Sequence, residues 1–173
     1  MYTHFEIDRI LDSMTVLVDT REQDTPAFRA RLSAMKCKKR REYLNYGDYS
    51  AEVINESGIS ISAANKVSIE RKMDIDELCK CFTYERERFK CEFERAAEDG
   101  AKMYLLVENA SWEKIFAGAY RSKMKPEALE ASILAWCARY NLTLHFCRPK
   151  STGILIEKIL RYEIKVMLEK GEL

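Results

Sequence analysis

The stretch of sequence that decides the fold is G-D-Y at residues 47–49, followed by V-S-I-E-R-K at residues 67–72. The second segment alternates as a β-strand does, so Glu70 and Lys72 project side by side from one face. Asp48 opens a neighbouring strand, which a turn-forming Asn-Glu-Ser-Gly segment ends. The sequence therefore predicts that two acids and a lysine converge on one point.

These residue types predict phosphodiester cleavage. Hard cations such as Mg²⁺ bind carboxylate oxygens, and a lysine beside them can hold an attacking water or a phosphate oxygen. Attack on a phosphodiester builds negative charge on the phosphate oxygens, which a divalent cation offsets. Each piece alone has a simpler explanation. Asp48 could be a turn residue, and Glu70 with Lys72 could be an ordinary pair on an exposed sheet face.

Length and composition indicate one folded domain. The chain has 173 residues, of which 47% are hydrophobic, enough for a full core. We expect a single domain at 1–173. Within it, 1–14 would be an N-terminal arm or helix, 15–165 the core and 166–173 the end of a C-terminal helix.

The charge of the chain provides little general attraction to nucleic acid. The 29 basic and 28 acidic residues leave a formal net charge of +1, so any nucleic-acid-binding surface must be local. One basic cluster predicts phosphate contacts, although a solvated strand entry explains it equally well. Its members are Lys36, Lys38, Lys39, Arg40 and Arg41.

The cysteines indicate small buried thiols in a reducing compartment. None belongs to a C-x-x-C pair, so a zinc or iron–sulfur site is disfavoured. The six are Cys37, Cys79, Cys81, Cys91, Cys137 and Cys147. The sequence has no signal-peptide pattern and no apolar run long enough to span a membrane. We therefore expect a cytoplasmic protein, in the host cytoplasm if a phage encodes it. The only histidines, His4 and His145, are far apart, which argues against nucleases that rest on a histidine base.

Hydrophobic periodicity and capping signals predict alternating helices and strands. The predicted helices cover 4–13, a segment from Asp24 or Thr25 to about Met35, 75–98, a short segment at Trp112, Pro126 to about Tyr140, and a last one from Ser151 or Thr152. The predicted strands cover 15–19, 41–46, 49–54, 67–72, 101–108 and 142–147, with an embellishment between paired strands at 59–66 whose end, 63–66, suggests a loop. The middle strands imply antiparallel pairs and the later alternation implies parallel ones. We therefore predict an α/β three-layer sandwich with a mixed central sheet.

The motifs resemble those of the XPF-family nuclease domain. V-D-T-R-E at 18–22, G-D at 47–48 and E-R-K at 70–72 with Asp76 four residues on match its V-D-x-R-E, G-D and E-R-K-x-x-x-D motifs. Arg88-Phe89 with Glu92 resembles its R-F-x-x-E signature, and Y-L-L-V-E at 104–108 resembles its buried strand. The resemblance covers about residues 15–165. It implies a restriction-endonuclease-like fold and metal-dependent cleavage of branched DNA.

The resemblance also implies roles for individual residues. The metal ligands would be Asp19, Asp48 and Glu70. The backbone carbonyl of Arg71 could add another ligand, and Lys72 would position or activate the water and stabilise charge on the phosphate. The supporting residues would be Arg21, Glu22 and Arg71, which would pair with the ligand carboxylates or the scissile strand. Asp19 could instead cap the helix that follows it.

Other residues of these motifs have structural alternatives. Asp76 also suits the start of a helix, and Arg88 with Glu92 forms an i, i+4 pair that could buttress the site. Three aromatic residues could stack on unpaired bases, although core packing or chance exposure explains each more simply. They are Tyr84, Trp112 and Tyr120.

The sequence therefore predicts a Mg²⁺-dependent, structure-selective DNA endonuclease, with Mn²⁺ as a substitute and Ca²⁺ supporting binding but poor cleavage. Its substrate would be branched, flap or single-strand-containing DNA, as in DNA repair or recombination. The alternative is a non-catalytic DNA-binding or scaffolding partner on the same fold, and nothing excludes an RNA substrate.

Assembly would compensate for the low net charge. Nothing after Cys147 resembles the tandem helix-hairpin-helix module of the family, and there is no helicase domain, so a compact stand-alone nuclease is expected. DNA affinity would come from a homodimer or a partner protein. We predict a dimer through the C-terminal helices, because the last helix carries Leu155, Tyr162 and Val166 off its main apolar stripe.

Overall fold

A seven-stranded mixed sheet forms the middle layer of the structure, a computed structural model that describes residues 2–173. The strands are β1 (Thr15–Asp19), β2 (Lys38–Glu42), β3 (Tyr49–Ile54), β4 (Ser60–Ser62), β5 (Val67–Lys72), β6 (Lys102–Glu108) and β7 (Thr143–Cys147). The helices are α1 (His4–Asp12), α2 (Pro26–Ser33), α3 (Ile75–Phe82), α4 (Arg86–Glu98), α5 (Trp112–Phe116), α6 (Pro126–Arg139) and α7 (Pro149–Lys170).

The strand order is β2-β1-β3-β5-β6-β7, and β4 pairs with β3 beside this path. Strand β3 runs antiparallel to β1, β4 and β5, whereas β5, β6 and β7 are mutually parallel and β2 is parallel to β1. The predicted mixed sheet is confirmed, with antiparallel pairs in the middle of the chain and parallel pairs after it.

Helices cover both faces of this sheet. One core packs α1, α2 and α7 against Val16, Ile69 and Leu106, and the other packs α3 to α6 against Met103 and Leu105. The second core is aromatic, with the Trp136 ring 5.1 Å from Phe89 and 5.2 Å from Phe82. The structure is thus the predicted three-layer α/β sandwich.

The second strand differs from the prediction. A strand was expected at 41–46, but β2 spans Lys38–Glu42 and residues 43–48 form a loop. The register explains this, because β2 pairs only with β1 and its last residue, Glu42, lies opposite the last residue of β1, Asp19. Beyond that point no strand offers hydrogen bonds, so the chain turns away.

Three further boundaries were wrong. The embellishment expected at 59–66 contains a strand that was not predicted, β4, which extends the hairpin from β3, and the last helix begins at Pro149 rather than at Ser151. The helix expected at 75–98 is broken between α3 and α4. There the Thr83 hydroxyl donates a hydrogen bond to the Cys79 carbonyl (2.9 Å) and competes with the helical ladder.

All six cysteines are free thiols. Cys79 and Cys81 are buried in α3 and help to fill the aromatic core. Across residues 2–173, no helix combines the length and the apolarity that crossing a membrane requires.

Two glycines allow backbones to approach closely. Gly153 lets α7 pack on α2, since an added Cβ would lie 2.2 Å from the carbonyl oxygen of Arg31. Gly47 has φ +70°, and a Cβ there would lie 2.2 Å from Ser68 Oγ. That hydroxyl lies within hydrogen-bond distance of the carbonyls of Tyr46 (2.9 Å) and Tyr49 (3.0 Å). The G-D turn is therefore locked onto β5.

We expect Gly47→Ala to lower the free energy of unfolding by about 3 kcal/mol, because a left-handed backbone and an overpacked contact coincide there. Gly58→Ala is the matched control, since Gly58 also has positive φ but an added Cβ would meet nothing within 4 Å. It should cost only about 1 kcal/mol. Urea unfolding measures both, and equal losses would contradict the close contact with Ser68.

Candidate active site

A cleft of about 460 Å³ opens where β3 begins and β5 ends. Asp48, Glu70 and Lys72 line it together, as the alternation of β5 predicts. Glu22, Glu77 and Glu92 add further acids at its walls. The structure therefore brings two of the three predicted metal ligands and the predicted lysine into one cleft.

Backbone hydrogen bonds fix Asp48 in this cleft. Its amide donates to the carbonyl of Ile69 (2.8 Å), and its carbonyl accepts from the amide of Asp19 (2.9 Å). Its side-chain oxygen Oδ2 accepts from the amide of Arg71 (2.8 Å). On the preceding residue, the amide of Gly47 donates to Glu92 Oε1 (2.6 Å). Asp48 is thus held between β1 and β5 with little freedom to turn away.

Glu70 and Lys72 form a buried pair on β5. Their exposed fractions are 5% and 6%, and Lys72 Nζ donates a hydrogen bond to Glu70 Oε1. The ammonium group also lies 5.1 Å from the ring centre of Phe89, a cation–π distance. The aromatic core beneath the cleft therefore helps to hold the lysine.

Burial shifts the pKa values of the charged side chains in the cleft. Burial raises the pKa of Glu70 to about 7, although the charge of Lys72 opposes the shift. Asp48 keeps part of its surface open to the cleft, yet burial and the charge of Glu70 raise its pKa well above the usual value. Burial alone would lower the pKa of Lys72, but Glu70 and Asp48 hold it above its usual value. The lysine is therefore charged at neutral pH, while the two acids disfavour each other's ionised form.

The structure does not bring Asp19, the third predicted ligand, into the cleft. Its exposed fraction is 1%, and Arg21 binds its carboxylate in a bidentate way, with Nε 2.7 Å from Oδ1 and Nη2 3.0 Å from Oδ2. The amide of Leu44 donates to Oδ2 as well (2.8 Å). Burial opposes ionisation, but these hydrogen bonds hold the pKa of Asp19 below its usual value. Both oxygens are committed to the loop that follows β2, so the ligand set of Asp19, Asp48 and Glu70 is not assembled.

Glu22 lies at the cleft instead. Its Oε2 accepts from Arg31 Nη2 (2.9 Å) and from the Tyr49 hydroxyl (2.8 Å). Its Oε1 has no hydrogen-bond donor anywhere in residues 2–173. The sequence analysis gave Glu22 a supporting role, and the structure places it as a third acid with one uncommitted oxygen.

A buried ionic network lies behind the cleft and centres on Glu108, the last residue of β6. Glu108 accepts from Arg71 Nη2 (2.8 Å), Arg31 Nη1 (3.4 Å) and the Thr152 hydroxyl (2.6 Å). Arg71 was expected to pair with the ligand carboxylates or the scissile strand, but its side chain is held here. The sequence analysis missed Glu108. The available signal was its position in the sequence, as the acid that ends the apolar strand Y-L-L-V-E at 104–108.

The remaining motif residues separate into distinct roles. Glu92 buttresses the G-D turn through Gly47, as anticipated, whereas Arg88 pairs with Glu85 and stays exposed at the cleft. Asp76 does not only start a helix. Its carboxylate accepts from the amides of Arg121 (2.8 Å) and Ser122 (2.7 Å) and thereby holds the loop between α5 and α6.

Most of the predicted phosphate-contacting cluster is engaged by the protein itself. Lys39 Nζ donates to the Met35 carbonyl (2.9 Å), and Arg40 pairs with Glu42 and Glu52. Arg41 donates to the carbonyl of Thr20 (2.9 Å) and thereby holds the turn after β1. Of the five, only the side chains of Lys36 and Lys38 form no such contact within the described chain, where Lys36 donates through its backbone amide alone.

The donor set fits a hard divalent cation that keeps part of its water. Within residues 2–173, no group of three or more acidic, histidine or cysteine side chains is arranged to hold a metal ion alone. Mg²⁺ commonly binds through one or two carboxylates and completes its six ligands with water and substrate phosphate. Asp48 and Glu70 match that pattern, and a cation would favour their ionised forms against the burial and the neighbouring acids that raise their pKa values.

We expect Asp48→Asn to stabilise the metal-free protein by on the order of 1 kcal/mol at pH 8. A carboxyl whose folded pKa is raised is destabilising when ionised, so the gain should shrink as pH falls and both carboxyls protonate. Urea unfolding at pH 8 and pH 5 measures this. Asp8→Asn, an exposed control, should change stability by less than about 0.5 kcal/mol. If Asp48→Asn instead lowered the free energy of unfolding at pH 8, ionised Asp48 would not be destabilising, contrary to this prediction.

We expect Glu108→Ala to lower the free energy of unfolding by about 3–5 kcal/mol, because it leaves the buried guanidinium groups of Arg31 and Arg71 without their shared partner. Chemical unfolding measures this loss. Glu98→Ala, which removes an exposed glutamate from α4, should change stability by less than about 0.5 kcal/mol. Similar losses in the free energy of unfolding for both variants would show that the Glu108 network does not stabilise the fold.

Comparison with known proteins agrees with these motifs. The ERCC4 domain model matches residues 18–159. XPF from Aeropyrum pernix is 23% identical with a TM-score of 0.60, and the match covers 86% of this chain and 61% of that one. XPF from Aeropyrum pernix in complex with DNA is 23% identical with a TM-score of 0.62, over 88% of this chain and 66% of that one. The chain thus spans less than two thirds of each, and both share its fold. No curated protein sequence matches significantly. Because the family model covers most of its length, the chain belongs to the ERCC4-domain family, the XPF-type family that its motifs resemble.

Proposed function

We propose that this protein is a metal-dependent endonuclease that hydrolyses phosphodiester bonds in DNA, with flap, branched or single-strand-containing DNA as its substrate. The observation that carries the proposal is the convergence of Asp48, Glu70 and Lys72 in one cleft. Membership of the ERCC4-domain family supports the same function.

In this proposal Asp48 and Glu70 would hold Mg²⁺ or Mn²⁺. Glu22, whose Oε1 is uncommitted, and Arg71, whose carbonyl would add another oxygen, also line the cleft. When bound, the cation offsets negative charge on the phosphate oxygens and makes a nucleophile available at neutral pH. The position of Asp48 is fixed for this task, since β5 holds it through the Ile69 carbonyl and the Arg71 amide, and β1 holds it through the Asp19 amide.

Lys72 acts as a charged donor rather than as the base. Its pKa is held above the usual value, so it carries its proton at the pH where the cleft would work. It would donate to a phosphate oxygen on which charge develops, and its own burial would strengthen the interaction. Glu70 orients the ammonium group until then.

Two arginines can hold the scissile strand. Arg21 and Arg88 both line the cleft, with exposed side-chain fractions of 52% and 74%. Asp19 fixes the Arg21 guanidinium from one side and leaves Nη1 uncommitted. Asp19 would thus support the cleft by positioning Arg21. This positioning role would take the place of the metal-ligand role that the motif implies for Asp19.

Branched or single-strand-containing DNA suits so weakly charged a protein. A flexible junction bends into an exposed cleft at lower cost than continuous duplex. The archaeal XPF that was solved with DNA shares only the fold, so it supports DNA as the ligand without fixing the substrate. The scaffold alternative gives no reason for holding two buried acids against each other.

A homodimer or a partner protein would add affinity for DNA. On α7, Ile154, Tyr162 and Val166 are exposed, whereas Leu155 is half-buried against the first core and so leaves the predicted free face. The two predicted dimer helices, α6 and α7, cover opposite faces of the sheet and flank β7. A dimer that used both helices would therefore have to run across the β7 edge.

A labelled panel of flap, fork, single-stranded and duplex DNA tests the proposed function. We expect cleavage with Mg²⁺ or Mn²⁺ and none in EDTA. Lys72→Ala should slow single-turnover cleavage by at least about a hundredfold, the scale of a lost catalytic donor. Lys158→Ala, an exposed lysine on α7, is the matched control and should leave the rate unchanged. Full activity in EDTA, or a normal rate for Lys72→Ala, would favour the scaffold alternative.

A further inference from the structure

A second groove, of about 600 Å³, lies beside the catalytic cleft and shares Met73 and Glu77 with it. It lies between α3, the break before α4 and the loop that joins α5 to α6. We propose that this arm groove binds the single-stranded arm of the DNA next to the scissile phosphate. The inference rests on the proposed function for the identity of its ligand. The residues that define the arm groove here are Met73, Lys80, Tyr84, Arg121 and Lys123.

An unpacked aromatic ring lines the arm groove. Tyr84 lies in the break between α3 and α4, and 91% of its surface is exposed. The other two aromatic residues that could have stacked on bases are occupied. Trp112 stacks on Phe116 at 5.8 Å between ring centres, and the Tyr120 hydroxyl donates to the Met124 carbonyl (2.9 Å). A free ring beside a phosphodiester-cleaving cleft is a platform for an unpaired base.

The arm groove also carries two lysines that form no ion pair, although the formal charges of its lining residues balance. Its acids are used internally, since Asp74 accepts from the Glu77 amide (2.8 Å) and Glu77 accepts from the Met73 amide (2.5 Å). Lys80 and Lys123, by contrast, are exposed and form no ion pair within residues 2–173. The groove therefore offers two lysines for phosphates together with an exposed aromatic ring.

Asp76 positions this surface. Its Oδ2 accepts from Arg121 Nε (3.1 Å), in addition to the two amide hydrogen bonds at Oδ1. The loop that carries Arg121 and Lys123 is thereby tied to α3, four residues after Lys72 of the cleft. The last acid of the E-R-K-x-x-x-D pattern thus acts as a positioning residue that joins the cleft to the arm groove.

Binding without cleavage tests the platform. A fluorescein-labelled single-stranded oligonucleotide is titrated with protein in EDTA, and its fluorescence anisotropy is followed. Tyr84→Ala should weaken binding by roughly fivefold or more, because one stacked base is lost, whereas Tyr84→Phe keeps the ring and should stay within about twofold. Phe5→Ala, which removes an exposed aromatic ring from α1, is the matched control and should bind as wild type does. Equal affinity of Tyr84→Ala and wild type, or no binding by wild type, would overturn the inference.

The salt dependence of the same titration tests the lysines. Lys80→Ala combined with Lys123→Ala should reduce the slope of log affinity against log salt by about 1.4, which is about 0.7 for each lost phosphate contact. Lys158→Ala combined with Lys170→Ala is the control pair of exposed lysines. An unchanged slope for the first pair would remove them from the arm groove.

The two proposals fail in different ways. A protein that binds the arm as expected and cleaves no DNA would refute the proposed nuclease activity and leave the arm groove standing. A protein that cleaves flap DNA, and whose binding and cleavage are both unaffected by Tyr84→Ala, would refute the arm groove and leave the nuclease standing.

Discussion

Two buried carboxylates held against one lysine set the main physical constraint on this structure. Asp48 and Glu70 lose hydration in the cleft, and each disfavours ionisation of the other. An arrangement of this kind persists only where the surrounding backbone leaves the side chains no alternative. The surroundings supply that rigidity, because the G-D turn is locked onto Ser68, Glu92 caps it, and the Arg71 amide holds the Asp48 carboxylate.

Beside these two carboxylates, the structure holds a second network of charged side chains, which is centred on Glu108. Glu108 gathers Arg31, Arg71 and Thr152, all of them hydrogen-bonded, on the face of the sheet opposite to Glu70 and Lys72, and both arginines also line the cleft. Arg71 belongs to both networks, since its amide serves Asp48 while its guanidinium serves Glu108. Adjacent residues of one strand thus point to opposite faces of the sheet. One face carries the proposed chemistry and the other anchors it.

The sequence predicts much of the fold and the centre of the site, because these depend on local rules. Strand alternation alone places Glu70 and Lys72 together, and hydrophobic periodicity places the helices. The errors arise where one specific contact, local or distant, overrides these rules. The loop after β2 forms because β1 ends, Thr83 breaks a helix by competing for its carbonyls, and Asp19 turns away because Arg21 and Leu44 bind it. A motif shows that an acid is present, but it does not show which way its oxygens face.

The most direct test of the proposed cation site is a measurement of Mn²⁺ binding. Mn²⁺ is titrated into metal-free protein and the signal of the free ion is followed by electron paramagnetic resonance, for wild type, Asp48→Asn and Asp19→Asn, each checked for folding by circular dichroism. The account predicts a saturable site in wild type, weakened by about tenfold or more in Asp48→Asn. It predicts a retained site in a folded Asp19→Asn, because Asp19 lies outside the cleft. Wild-type affinity in Asp48→Asn, or loss of the site only in Asp19→Asn, would contradict it.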